Sequence, residues 1–341
     1  MKISLLIPCW NEEPTIVACV ESALAQERPL DQIIVVNDGS TDNSRAILAK
    51  YEDRITVVNT LENSGSKSRA QEYAMQFIDC EVILMTDADT VLSPQFTTRA
   101  EKAFSDPNVH AFAGYIKSLK HNWLTACREL DYIIGQDLHK TAQAHLEAVI
   151  VIPGCGAGFR MSTFKKYITF DHDTLTEDLD FTYKLHEQDL KIYFDKHAVV
   201  NTQDPDTLPA YIKQMRRWIG GGWQCLVKHW QVVLSRKGHA VEISLIYIEG
   251  MLFGMLFFLL PFINILYFGA FFIGYFFIAM LVGLYASHRR KRPDLMWFAV
   301  FFPFVLILNS YVFFEQFISR VLLRRKDLTW YKPKRRLIDS I

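Results

Sequence analysis

The sequence has no excess of charge of either sign. Its 37 lysines and arginines balance 37 aspartates and glutamates, which argues against nucleic-acid binding because that function depends on clustered basic residues. The cysteines are too scattered for a zinc site or an evident disulfide pairing, and they suit a reducing cytosol. They are Cys9, Cys19, Cys80, Cys127, Cys155 and Cys225. There is no internal repeat and no low-complexity linker, and 341 residues allow one sizeable domain plus a second unit.

The first apolar run, residues 3–7, is too short for the core of a signal peptide. We expect it to be the first of several β-strands that alternate with helix-like segments. The strand-like runs lie at 3–7, 32–36, 55–58, 82–85 and 109–112. Such alternation predicts an α/β domain with a mainly parallel sheet and helices on both faces, continuous over residues 1–206.

Charged residues are absent from positions 250–287. One helix of these 38 residues would be about 57 Å long, nearly twice a ~30 Å hydrocarbon core. Two crossings with a tight turn near 261–264 fit better, the first beginning near Val241 or Ile243 and the second ending near Tyr285. Glu249 then lies in or close to the membrane, either packed inward for a function or snorkelling at the boundary.

A third uncharged stretch, residues 295–314, is long enough to cross and is interrupted by Pro303. The basic run 289–292 should lie on the cytoplasmic side. A third crossing would export the basic tail, 324–341, against that rule. We expect about three crossings within residues 239–323, with a broken or re-entrant third helix as the alternative. Residues 207–238 form an amphipathic interfacial segment rich in tryptophan and basic residues, including Arg236.

Four polar clusters carry the chemical signal. Asp87 and Asp89 follow the apolar run 82–85, where the carboxyl edge of an α/β sheet binds nucleotides and where carboxylates suit a hydrated divalent cation. Asp38 follows the strand 32–36 and should lie on the same edge. The others are Thr176-Glu177-Asp178 and Gln214-x-x-Arg217-Trp218. Each of three clusters alone has a simpler interpretation. The Asp87-x-Asp89 pair could be a solvated turn, Thr176 and Asp178 could cap a helix, and the Arg-Trp run could be a membrane-surface anchor.

Together these clusters resemble the signature of membrane-bound family 2 glycosyltransferases over roughly residues 1–235. That group includes the hyaluronan, chitin, cellulose and poly-N-acetylglucosamine synthases and ceramide glucosyltransferase. The resemblance implies a GT-A-type fold, a nucleotide-sugar donor and inversion at the anomeric carbon. Two features depart from the family pattern: Lys67 stands one place late after Asn63-Ser64-Gly65, and many polymer synthases have additional amino-terminal crossings.

The resemblance assigns roles residue by residue. Asp178 is the expected general base, Asp87 and Asp89 are the expected ligands of Mg²⁺ or Mn²⁺, and Asp89 is the stronger candidate. The expected donor-binding residues are Pro8, Asn11, Glu12, Asp38, Lys67, Asp87 and Arg217. The expected acceptor-binding residues are Gly156, Glu177, Gln214 and Trp218. Gly156 is included because glycines of 153–158 follow a strand-like run, and Lys67 has the alternative of a solvated first-turn lysine.

The sequence therefore predicts a processive synthase that extends a β-linked polysaccharide from a UDP-sugar and passes it through the membrane. One alternative is single transfer to a lipid such as a ceramide, a diacylglycerol or a polyprenyl phosphate. The other is a non-catalytic sensor or pore, which should have lost a carboxylate, and none is lost. We expect a multi-pass protein of the plasma (inner) membrane with a cytoplasmic catalytic domain. Few helices are present to enclose a polymer, so a homo-oligomer would have to complete the channel.

Overall fold

The computed structural model describes residues 1–234, 238–325 and 332–338. Its N-terminal domain is built on one sheet of eight strands in the order β3-β2-β1-β4-β7-β6-β8-β5. The strands are β1 (Ile3–Cys9), β2 (Gln32–Asn37), β3 (Thr56–Asn59), β4 (Val82–Met85), β5 (Thr90–Leu92), β6 (Val109–Ser118), β7 (Ala157–Arg160) and β8 (Lys191–Thr202). Four strand pairs are parallel and three are antiparallel, the latter being β4 with β7, β6 with β7, and β5 with β8.

Helices cover both faces of this sheet. They are α1 (Ile16–Leu24), α2 (Ser44–Leu48), α3 (Lys67–Ala74), α4 (Phe96–Phe104), α5 (Trp123–Ile134), α6 (Thr141–His145), α7 (Met161–Tyr167) and α8 (Glu177–Glu187). One apolar core lies under α1 and α4, and a second lies under α3, α7 and α8. Alternate residues of β1 divide between these cores, since Leu5 packs in the first and Leu6 in the second.

The glycine-rich stretch near 153–158 differs from the prediction. Residues 148–153 form no strand; the strand is β7, which begins within the glycine run and lies antiparallel to β4. Three of the eight strands, β5, β7 and β8, were not predicted. β5 spans only three residues, which is too short for a clear pattern, and β7 (Ala157–Arg160) contains a glycine and an arginine instead of an apolar run.

The strand register brings the acidic motifs to one edge. In the parallel pairs, Cys9 of β1 lies opposite Asn37 of β2, and Leu6 lies opposite Met85 of β4. The residues that follow these strands, among them Glu12, Asp38 and Asp87, therefore emerge side by side. The carboxyl edge of the parallel strands is where open α/β folds bind ligands.

Five helices follow the sheet domain: α9 (Leu208–Lys228), α10 (Trp230–Leu234), α11 (Gly238–Ile263), α12 (Ile265–Arg289) and α13 (Phe302–Gln316). A 3₁₀ segment, Pro293–Phe301, leads into α13 and a π-helical segment, Phe317–Leu322, follows it. Within the described part of the chain, three stretches are long and apolar enough to cross a membrane: Ala240–Ile263, Ile265–Arg289 and Pro293–Leu322. The turn between α11 and α12 is Asn264, whose side chain accepts hydrogen bonds from the amides of Leu266 and Tyr267.

The third apolar stretch contacts the sheet domain or α9 along its whole length. Asp294 lies 2.6 Å from Lys120, and Asn309 accepts a 2.7 Å hydrogen bond from Tyr211 of α9. Near its end, Gln316 packs on Gly220 of α9. Pro303 stands in the first turn of α13, where proline begins a helix well, so it does not break one there.

The C-terminal segment 332–338 returns to the sheet domain. The Arg336 guanidinium lies 2.5 Å from the Asp206 carboxylate, and the Ile338 amide lies 3.4 Å from the Pro14 carbonyl oxygen. Residues 326–331 and 339–341 of the basic tail lie outside the described residues, as does Arg236. The described C-terminal segment therefore contacts the sheet domain.

Candidate active site

A cavity of about 110 Å³ opens at the carboxyl ends of β1, β2 and β4. Six of the seven expected donor-binding residues line it: Pro8, Glu12, Asp38, Lys67, Asp87 and Arg217. Asn11 does not line it. Its side-chain oxygen accepts hydrogen bonds from the amides of Thr41 and Asp42. Asn11 thus holds the loop after β2 and does not form the wall of this cavity, which we call the donor cavity.

Asp38 organises the facing loop. Its buried carboxylate accepts hydrogen bonds from the Ser64 amide and hydroxyl and from the Asn63 side chain, at 2.8 to 3.1 Å. Gly39 follows with φ of +61°, and its Cα faces the Asn63 backbone so closely that a Cβ would lie 2.4 Å from the Asn63 nitrogen. The turn after β2 therefore needs glycine. Asp38 lies at the wall of the donor cavity, and both of its carboxylate oxygens already accept hydrogen bonds.

Lys67 links two of the acidic motifs. Its ammonium lies 2.5 Å from Asp87 and 3.4 Å from Glu177, and its side chain is 17% exposed. Burial opposes the charge, but Asp87 and Glu177 outweigh it and raise the pKa of Lys67. The alternative of a solvated first-turn lysine is therefore wrong. Glu177, expected on the acceptor side, is held by this lysine.

Asp89 is the more deeply buried carboxylate of the Asp87-x-Asp89 pair. Its Oδ1 is buried and has no hydrogen-bond partner among the described residues. Burial raises the pKa of Asp89 to about 7; Arg335 opposes the rise, and Asp87 and Glu12 add to it. Two adjacent carboxylates with an unsatisfied buried oxygen fit a hard divalent cation, which prefers oxygen ligands. The residues present thus suit Mg²⁺ or Mn²⁺.

A second cavity of about 430 Å³ adjoins the first. The two share six lining residues: Lys67, Asp87, Asp89, Gln214, Arg217 and Arg335. Asp178 lines only the larger one, which we call the acceptor cavity. Its Oδ2 accepts a 3.1 Å hydrogen bond from the Gly154 amide. Burial and Glu177 raise the pKa of Asp178, while Lys67 opposes the rise. A carboxylate of raised basicity beside an open cavity is suited to accept a proton.

Helix capping does not account for the Thr176-Glu177-Asp178 motif. The helix α8 begins at Glu177, earlier than the predicted Leu179, and Thr176 is its N-cap residue. Thr176 makes no side-chain capping hydrogen bond, and its hydroxyl contacts the Cys225 thiol instead. The Asp178 carboxylate contacts a loop from across the cavity as well as the Leu179 amide. The motif therefore contributes to the cavity wall.

The Gln-x-x-Arg-Trp residues stand on α9 between the cavities and the apolar helices. Gln214 and Arg217 line both cavities, and Arg217 makes no ion pair among the described residues. Trp218 lines the acceptor cavity, and the Arg128 guanidinium lies 5.1 Å from its ring. One face of the indole is thus supported by a cation.

Gly156 is not on the cavity wall. It is buried, and a Cβ there would meet Ile116 and Val200 at 3.2 Å. Close packing between β6 and β8 explains this glycine, so its expected acceptor contact is a wrong assignment. Gly154 and Cys155 line the acceptor cavity in its place.

Two parts of the site are formed by segments in which the sequence analysis found no motif. In the C-terminal segment, Arg335 pairs with Asp89, and Lys332 lies 2.9 Å from Glu12 and contacts the carbonyl oxygen of Trp10. On the acceptor side, Lys140 lines the cavity from the π-helical segment Gly135–Lys140. The basic run 332–336 was noticed only as charge, and no local signal marks Lys140, because its position depends on folding of distant elements.

An α/β sheet with acidic motifs at its carboxyl edge, joined to long apolar helices, defines the class of membrane-associated glycosyltransferases. Residues 2–221 match the family described as glycosyltransferase like family 2. This match covers more than half of the 341 residues, and the chain belongs to that family. The glycosyltransferase class predicted from the motifs is confirmed.

The chain is similar to the poly-beta-1,6-N-acetyl-D-glucosamine synthase of Staphylococcus epidermidis, with 28% identity over 240 residues, 69% of this chain and 58% of that protein. It is also 28% identical over 233 residues to an N-acetylglucosaminyltransferase of Azorhizobium caulinodans, 64% of this chain and 58% of that protein. The chain thus spans 58% of the length of these relatives.

Among solved structures, the mannosyltransferase PcManGT from Pyrobaculum calidifontis, in complex with GDP-Man and Mn²⁺, has a TM-score of 0.59 at 17% identity. The alignment covers 92% of this chain and 87% of that one. Staphylococcus aureus TarS 1-349 in complex with UDP-GlcNAc has a TM-score of 0.50 at 15% identity, covering 94% and 92%. These likenesses confirm the predicted GT-A-type, mainly parallel fold.

Proposed function

We propose that this protein transfers a sugar from a UDP-sugar to a growing β-linked saccharide at the membrane, with inversion and with Mg²⁺ or Mn²⁺. The observation that carries the proposal is the meeting of two cavities at Asp87 and Asp89, with Asp178 on the acceptor side only. A donor diphosphate in the smaller cavity would place its anomeric carbon toward the larger one, where an acceptor hydroxyl would face Asp178.

Each group then has one task. Asp87 and Asp89 would hold the cation, which neutralises charge on the departing diphosphate. Arg217, which lines both cavities and is unpaired among the described residues, would bind the same diphosphate. Asp178 would take the proton of the attacking hydroxyl. UDP-N-acetylglucosamine is the first donor to test, because the relatives named above are N-acetylglucosamine transferases.

The test is transfer by the full-length, detergent-purified protein with Mn²⁺ or Mg²⁺ and a panel of radiolabelled UDP-sugars, with and without membrane lipids. We expect a lipid-free saccharide from one donor, separated by size and by solvent partition. A single labelled lipid would move the acceptor to the lipid class. Binding of UDP with Mn²⁺ but no product from any donor would contradict the proposal.

Lipid glycosylation remains the second candidate, because the Gln-x-x-Arg-Trp residues that line the acceptor cavity stand on α9, which packs on the apolar helix α13. Among the described residues, α11 and α12 leave the sheet domain as a hairpin. A short hairpin would suffice for an enzyme that modifies a ceramide, a diacylglycerol or a polyprenyl phosphate.

We also propose a membrane topology of two crossings with both ends on the catalytic side, in the plasma (inner) membrane with a cytoplasmic catalytic domain. The third apolar stretch would lie at the interface, since its two ends both contact the sheet domain or α9. Arg290, at the end of α12, pairs with Asp137 of the sheet domain. This arrangement keeps the basic run 289–292 and the tail on one side, as the positive-inside rule requires, and it replaces the expectation of three crossings.

A reporter fusion tests this topology. Green fluorescent protein attached after Ile341 should fluoresce, and alkaline phosphatase at the same position should be inactive, because fluorescence needs the cytoplasm and phosphatase activity needs the exterior. The same pair inserted at Asn264 should give the opposite result. An active phosphatase at the C-terminus would establish an odd number of crossings instead.

A further inference from the structure

Lys140 is a buried lysine on the wall of the acceptor cavity. Its side chain is 7% exposed, and it ends the π-helical segment Gly135–Lys140 that follows α5. A π-helical turn adds one residue to a helix and occurs often at functional sites. The roles assigned above do not use this residue.

The Lys140 ammonium has no carboxylate or carbonyl partner among the residues that the structure describes. The ammonium lies over the Phe194 ring, 5.6 Å from the ring centroid. Burial lowers the pKa of Lys140 to about 8, and the nearby Cys155 and Asp178 offset only part of the effect. A buried ammonium without a partner is costly, so most buried lysines are paired.

Two other lysines with little solvent exposure do have partners within the chain. Lys67 pairs with Asp87 and Glu177, and Lys184 lies 2.8 Å from Asp180 and donates to the Thr169 carbonyl oxygen. Lys140 is different because the space in front of it is the acceptor cavity. The partner that Lys140 lacks among the described residues is then an oxygen atom of whatever fills that cavity.

The charge of the cavity wall indicates what kind of oxygen this is. Six carboxylates line the cavity, and five of them pair with a basic side chain: Asp87 and Glu177 with Lys67, Asp89 with Arg335, and Asp131 and Asp204 with Arg128. The sixth, Asp178, has no ion pair among the described residues, so an anionic acceptor group beside it would be repelled and would oppose its ionisation. An uncharged hydroxyl or amide oxygen accepts a hydrogen bond from an ammonium without that repulsion.

We propose that Lys140 is an acceptor-positioning residue: its ammonium donates a hydrogen bond to an uncharged oxygen of a saccharide acceptor and so orients the attacking hydroxyl toward Asp178. This inference rests on the proposed function and names the acceptor class of the same site. It also disfavours one of the lipid candidates, the polyprenyl phosphate, which would bring an anion next to Asp178.

The test compares three variants of the full-length protein. Lys140→Met keeps the length of the side chain and removes its donors, and Lys140→Arg restores donors. His139→Gln is the matched control, since His139 is the exposed neighbour in the same π-helical segment. The probes are the donor used by the parent, UDP with Mn²⁺, and a short oligosaccharide of the parent's product.

For Lys140→Met we expect the KM for the oligosaccharide to rise about tenfold or more, the usual effect of losing a hydrogen bond from a charged donor. The KM for the donor and the affinity for UDP with Mn²⁺ should stay at the parent values. Lys140→Arg should recover part of the acceptor affinity, and His139→Gln should match the parent. The Tm of Lys140→Met should not fall, because the substitution removes an unpaired buried charge.

An unchanged acceptor KM in Lys140→Met, in an enzyme that is active, would overturn the inference and leave the proposed function standing. A rise in both KM values together with a lower Tm would show a merely structural role and also overturn it. A parent protein that binds UDP with Mn²⁺ but makes no product would overturn the proposed function first, and this inference with it.

Discussion

Asp178→Asn is expected to reduce sugar transfer by about 10²- to 10⁴-fold, the range over which a general base contributes. The amide has nearly the shape of the carboxylate but cannot accept the proton of the attacking hydroxyl. Binding of UDP with Mn²⁺ should remain, because Asp178 lines the acceptor cavity and not the donor cavity. Transfer is measured with the donor identified from the UDP-sugar panel, and binding by calorimetry.

Two further measurements make the Asp178 test specific. Asp189→Asn is the matched control: it is an exposed aspartate just beyond α8, and it should transfer at the parental rate. In the parent, kcat/KM should fall as the pH decreases through the pKa of Asp178, which burial and Glu177 place above the ordinary aspartate value. Undiminished turnover in Asp178→Asn would remove this residue as the base.

Asp89→Ala is expected to weaken metal-dependent binding of UDP on the order of 100-fold, since even indirect disturbance of a metal site costs about 10- to 100-fold. Asp89 supplies the buried carboxylate oxygen that lacks a hydrogen-bond partner among the described residues. Without a cation, UDP should bind the variant and the parent with similar, weak affinity. Calorimetry with Mn²⁺ and with a chelator measures both cases.

Arg335 requires its own control, because it pairs with Asp89. Asp89→Ala removes that ion pair as well as the proposed metal ligand, whereas Arg335→Ala removes the ion pair and the contacts of Arg335 with Glu12 and Gln203 but keeps both carboxylates. If the loss in Asp89→Ala comes from the cation, Arg335→Ala should keep the dependence of UDP binding on Mn²⁺. Equal loss of that dependence in both variants would assign the effect to the tail. Asp106→Asn, at the amino end of β6, should behave like the parent.

Most of the donor side could be predicted from sequence because it is built locally. Asp38 and Asp87 each follow directly on a short apolar run, and the ends of parallel strands meet at one edge. The same reasoning gave a wrong assignment in the glycine run 153–158. Gly156 was placed on the acceptor side from the flexibility of glycine, whereas the structure uses it to pack β7 closely against Ile116 and Val200. A missing side chain serves ligand approach and tight packing equally well, and spacing does not separate the two.

In the apolar region, too, one feature could be predicted from the sequence and another could not. A charge-free run longer than one crossing requires a turn, and Asn264 lies within the predicted interval. For the third apolar stretch, length and composition are the same for a crossing helix and for one that packs on a neighbouring domain. Contacts such as Tyr211 with Asn309 and Asp294 with Lys120 support the proposed interfacial position, and these join residues 98 and 174 positions apart.

By itself the sequence determined the fold class, the family and the edge of the sheet that carries Asp38, Asp87 and Asp89, since apolar periodicity and strand-end motifs act over a few neighbouring residues. Only the tertiary structure decided that Arg335 returns to Asp89, that Asp178 faces a second cavity next to the donor's, and that Lys140 lies buried there with no ionic partner among the described residues. Those facts depend on the packing of elements far apart in the chain, and the free energy of such contacts leaves no short-range pattern in the sequence.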